Sequence, residues 1–173
     1  MSANSAAIQK KPAYQTASHE EKILRLIIIS TFVALLVGCS SMPNGPQFSG
    51  VASQSDANHS TLFIYRPDAY YGKAITVPVM LNDKKIADLG NEGYFTLAVA
   101  PGNYLILPDT DSIDHEFRFE AKAGQIHFLR LKVNRKPALC FCTSLEFEIA
   151  DEVKAMEELA KTRLETDRFY GFK

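Results

Sequence analysis

Apolar and polar residues change period three times along this chain, and each change marks a structural boundary. Leu26 to Val37 is a short, nearly continuous apolar run. It has the length of a secretory h-region and falls short of the ~18–20 residues a spanning helix needs. From Ser40 to Ser60, Ser, Gly, Asn and Pro dominate and no period survives, which predicts a flexible linker. From Thr61 to Ile149, runs of five to ten residues alternate or are apolar on both faces, with turn residues between them. After Ile149 the spacing becomes helical: Val153, Met156, Leu159, Ala160 and Leu164 share a stripe. Asp151 and Glu152 stand at its start, Lys161 and Arg163 at its end.

The alternating region resolves into strands. Thr61–Arg66 is apolar on both faces, as expected for the middle of a packed sheet. Lys73–Leu81 carries Pro78, which predicts an edge or a bulge. Asn82-Asp83 should turn the chain into a hairpin with Lys84–Leu89. In Gly93–Val99, Phe95, Leu97 and Val99 share one face. Pro101-Gly102 should return the chain as Asn103–Leu107. His115–Glu120 alternates, with Phe117 and Phe119 inward. Gln125–Val133 shifts phase near Phe128, which predicts a bulge. Leu139–Ile149 places Phe141, Leu145, Phe147 and Ile149 on one face. The expected fold is mainly β: an antiparallel β-sandwich, immunoglobulin-like or transthyretin-like, with one C-terminal amphipathic helix.

The apolar run ends in Leu36-Val37-Gly38-Cys39. This resembles the lipobox of bacterial lipoproteins, although the leader before the run, Met1 to Lys22, is long. The resemblance implies that Cys39 receives a diacylglycerol, that cleavage precedes it, and that its new amino group is acylated. Residues 1–38 are then a cleaved signal peptide, 39–60 a lipidated Cys with its tether, and 61–173 the folded domain. Lys10, Lys11, Lys22 and Arg25 outweigh Glu20 and Glu21 upstream, which keeps the amino end cytoplasmic during export. Several acyl chains, at roughly 0.8 kcal/mol per buried CH₂, hold stably where one would not. Ser40 after the Cys is similar to outer-membrane lipoproteins, implying attachment there, facing the periplasm. A tether of this composition would reach roughly 25 Å, so that the domain hangs off the membrane surface.

Charge narrows the partners. The chain holds 19 Lys and Arg against 20 Asp and Glu; without the four basic and two acidic leader residues, 15 face 18, a net of −3. No basic block survives for nucleic acid. A membrane through lipid on Cys39, and an envelope protein or polymer, are the partners expected. No cofactor and no catalytic residues are expected, because no hydrolase or phosphate-binding motif occurs.

A second resemblance rests on Tyr65-Arg66-Pro67, Leu81-Asn82-Asp83-Lys84-Lys85, Gly93-Tyr94-Phe95, Pro101-Gly102-Asn103-Tyr104 and Gly124-Gln125-Ile126-His127-Phe128. In this order they resemble a family of small bacterial lipoproteins carrying a domain of unknown function, over most of residues 61–164. The family implies a fold and supplies no catalytic residues.

Three features offer other chemistry. Cys140-Phe141-Cys142 would point two thiols the same way from a strand, ~7 Å apart at Cα. They read as structural thiols, as a disulfide if the strand bends, or as a metal or redox site completed by His115 or His127. Asp109, Asp111, Asp114 and Glu120 approach a calcium loop. Ile113 stands where a ligand is needed, and the turn lacks Gly, so a solvated acidic loop is expected. Phe169, Tyr170 and Phe172 should pack on the sandwich or serve as a partner contact.

Overall fold

A computed structural model describes residues 21–29, 42–51, 57–109, 116–135 and 143–172. The chain divides into two units, Met1–Cys39 and Ser40–Lys173. In the first, residues 21–29 form a helix (α1) with every side chain exposed. No helix among the described residues is long and apolar enough to cross a membrane.

Among the described residues, the second unit holds nine strands. Five form one sheet, in the order β8 (Thr143–Ile149), β7 (Ile126–Arg135), β1 (Ser60–Arg66), β4 (Gly93–Val99), β9 (Arg163–Leu164). Four form the other, in the order β3 (Lys84–Leu89), β2 (Val77–Leu81), β5 (Gly102–Pro108), β6 (Phe117–Ala121). Leu62, Ile64, Phe95, Leu97, Leu129 and Leu131 of the first sheet meet Val79, Leu81, Ile86, Leu89, Ile106 and Phe119 of the second in one core. The arrangement is sandwich-like and mainly β.

β1 is central, as its two apolar faces require. Leu62 and Ile64 point into the sandwich, while Phe63 and Tyr65 lie under a second cluster with Phe48, Tyr94, Phe128, Ala155 and Leu159. Asn82 and Asp83 turn β2 into β3 with φ of 45° and 65°, the double positive φ of a tight hairpin turn. Pro78 is accommodated by a register shift between Val79 and Met80 in the β2–β3 pairing.

Several expectations need correction. The sheets are not wholly antiparallel: β1 pairs with β7, and β4 with β9, in parallel. β4 and β5 are not a hairpin, because the chain crosses from one sheet to the other at Ala100-Pro101. β7 has no bulge at Phe128; its pairing with β1 is continuous through Phe63↔Phe128 and Ile64↔Leu129. Phe128 and Leu129 are both buried because both faces of this sheet are covered, so the phase shift marks a third layer and not a kink. The C-terminal helix, α2, is shorter than its stripe: Glu152–Leu159, capped where the Asp151 carboxylate accepts from the Lys154 N–H. It buries Ala155 and Leu159, whereas Val153 is 73% exposed and Leu164 belongs to β9.

Residues 43–48, expected to be linker, are docked on the edge of the five-stranded sheet. The Gly45 and Phe48 N–H groups donate to Leu164 and Thr162 carbonyls, and the Leu164 N–H donates to Pro46. Phe48 is buried edge-on against Phe63 and Tyr94. One apolar ring in a polar stretch, together with an unpaired strand edge to bind, overrides the linker composition.

Candidate contact surface

β1 ends in Arg66, whose side chain is fully buried. Its Nη1 donates to the Ile75 carbonyl at 2.9 Å and its Nη2 to Gly72 at 2.6 Å. Nε has no hydrogen-bond partner among the described residues. Burial lowers the guanidinium from its usual range, and Asp68 partly offsets this. The planar fork thus ties down a loop, residues 67–76, from inside.

A second tie comes from the β3–β4 turn. Asn91, fully buried, donates from Nδ2 to Asp68 at 2.7 Å and accepts from the Ala69 N–H at 3.1 Å. Asn91 and Lys73 hold the Asp68 carboxyl below the usual carboxylate range, and Lys73 lies 3.2 Å from it.

What these ties present is aromatic. Tyr70, 87% exposed, meets Tyr71 edge-to-face at 5.3 Å. The Arg135 guanidinium stands 5.5 Å from the centre of the Tyr71 ring. Ile75 beside them is exposed too. Two tyrosines and an isoleucine, exposed on a loop held by buried hydrogen bonds, form an ordered aromatic patch, the candidate contact surface.

Another polar cluster is a clamp. Arg130 on β7 donates from Nε and Nη2 to both Glu158 oxygens, at 2.7 and 2.9 Å, and from Nη1 to Glu148 at 3.2 Å. The Tyr65 hydroxyl donates to Glu158 at 2.8 Å. Burial would lower the Arg130 guanidinium, but the Glu158 hydrogen bonds overcome this and raise it. Burial first, and then Glu158, pushes the Tyr65 hydroxyl far up. With its hydrogen-bonding groups engaged between neighbours, this cluster pins α2 to the sheet.

Of the residues singled out in the sequence, Leu36, Val37, Gly38, Cys39, His115, Cys140 and Cys142 lie outside the described residues, as do Asp111, Ile113 and Asp114. His127 sits on β7, its ring tilted over Phe119 at 5.7 Å, with no hydrogen-bond partner for Nε2 among the described residues. Burial, and secondarily Lys122, lowers its pKa. Among the described residues no three His, Cys, Asp or Glu side chains converge on a metal position. Phe169 and Phe172 pack on the core, and the Tyr170 hydroxyl donates to Asp88 at 2.6 Å.

The contact loop lies inside the stretch that known proteins share. Residues 56–141 match DUF2846. That family is described as a protein of unknown function, which agrees with the domain of unknown function the sequence resembles, over a stretch that ends at 141 and not near 164. The DUF2846 match takes in β1 to β7, and so Arg66, Asn91, Tyr70 and Tyr71; β8, α2 and β9 follow it. An uncharacterized protein of Haemophilus influenzae is 25% identical over 100 residues, covering 56% of this chain. The chain spans 59% of that relative's length. No solved structure matches. Sequence reasoning treated Tyr65-Arg66-Pro67 as a fold signature and passed over Tyr70-Tyr71. The adjacent tyrosines in a stretch without apolar period were the available signal.

Proposed function

We propose that this protein is a lipid-anchored lipoprotein of the cell envelope, on the outer membrane facing the periplasm, whose folded unit is a non-enzymatic binding or structural module. One observation carries the reading: Leu36-Val37-Gly38-Cys39 closes an apolar run directly before the folded unit. That unit begins at Ser40, the residue after the cysteine, so cleavage before Cys39 would leave it whole. The engaged carboxylates of the Arg130 clamp and the exposed tyrosines of the 67–76 loop favour contact over catalysis.

The test is the mature amino-terminal peptide. Mass spectrometry should find Cys39 at the terminus, carrying diacylglycerol and an amide-linked acyl chain. A globomycin-type inhibitor of lipoprotein processing should cause the longer precursor to accumulate. An unmodified Cys39 with the leader attached, in cells that process other lipoproteins, would refute the proposal.

A further inference from the structure

The docked segment leaves little free chain between Cys39 and the folded unit, so a lipid on Cys39 would hold one end of the domain close to a bilayer. Only Ser40 and Ser41 separate Cys39 from Met42. Three Cα steps span at most roughly 11 Å. Pro43 is already buried, packed where a Cβ on Gly93 would come within 3.1 Å of its ring. Asn44 is hydrogen-bonded to Asp167.

The chain enters at the same end of the sheet that carries the tyrosines. Gly93 is the β4 partner of Arg66, where β1 ends and the 67–76 loop begins. The turn before Gly93 holds that loop through Asn91. Met42, Tyr70, Tyr71 and Ile75 are all exposed. Arg135 stacks on Tyr71, and Lys73 lies beside Asp68. Amphipathic aromatic rings with basic neighbours suit the headgroup level of a bilayer, where a ring meets acyl carbon and its hydroxyl meets water. The opposite end of β1, at Ser60, lies about 20 Å away.

We propose that the Tyr70–Tyr71 loop is a membrane-contact surface, seated in the headgroup region of the bilayer that holds the lipidated Cys39. This rests on lipidation at Cys39. It fixes the orientation of the domain, with the Ser60 end and the first turn of α2, which carries Val153, directed away from the lipid.

The chain contains no Trp, so one introduced Trp reports its own surroundings. Tyr70→Trp and, at the far end, Val153→Trp both replace exposed residues. Each mature product, lipidated at Cys39, is reconstituted in phosphatidylethanolamine–phosphatidylglycerol vesicles, with and without brominated acyl chains, and its amino-terminal peptide is checked by mass spectrometry. Y70W should emit at shorter wavelength than V153W in the same vesicles and lose half its emission or more to brominated lipid. V153W should keep unquenched, water-like emission. With Cys39 acylated, unquenched, water-like emission from Y70W overturns the contact surface and leaves the anchor standing. A blue shift without quenching puts a second copy on the loop and also overturns it. An unacylated Cys39 removes the anchor and this inference together.

Discussion

Arg66 directs a buried guanidinium at two loop carbonyls and, among the described residues, at no carboxylate within bonding distance. Removing it strands the Ile75 carbonyl, at about 1–3 kcal/mol for a group left unsatisfied, and takes one of two donors from the Gly72 carbonyl, which keeps the Ile75 N–H at 3.1 Å. Arg66→Met should therefore destabilise by about 2–4 kcal/mol. Arg66→Lys, a point charge without the fork, should lose less. Urea unfolding of both variants checks this, and an unchanged Arg66→Met midpoint would show the ties to be dispensable. His127 gives a pH signature. Its folded pKa lies below the ordinary 6.5, so below that pH the unfolded chain binds more protons than the folded one. Stability should fall as pH drops from about 6.5, and His127→Gln should flatten that slope in unfolding curves between pH 7 and 5. Tyr65-Arg66-Pro67 stood out in the sequence as a motif. Its burial did not, since a charged residue closing a strand is ordinarily exposed.

At the scale of elements, strands declared themselves wherever alternation was local, as in β4 and β6. Their partners did not, because pairing is set by contacts distant in sequence. Parallel β1–β7 leaves no turn signature, and Pro101-Gly102 reads the same whether the chain doubles back or crosses sheets. The phase shift in β7 was legible but admitted two causes, a bulge or a second buried face. The third layer decides between them, and it is built partly from residues whose composition says linker. Phe48 holds that layer together. Phe48→Ala should cost about 3 kcal/mol or more. It should also release the Gly45 and Phe48 amides to rapid hydrogen exchange while β1 and β7 amides stay protected. Uniform loss of protection would mean that the segment is integral to the sheet and not a docked strap. Stability and exchange protection unchanged from the parent chain would contradict the packing described.

For the whole molecule, the two facing sheets and the closing helix were foreseeable from period alone. The candidate surface was not, because it depends on which end of the sandwich the chain enters. That follows from the knitting of the two ends of the folded unit: Gln47 donates to the Ala160 carbonyl across 113 residues, and Gly45 and Phe48 bond to Leu164 and Thr162. A polypeptide made amino end first exposes Phe48 long before Thr162 exists. The seam therefore closes last, and an unfinished product ending ahead of Thr162 keeps its aromatic strap open to proteases. Completion of the chain and concealment of that strap become a single event.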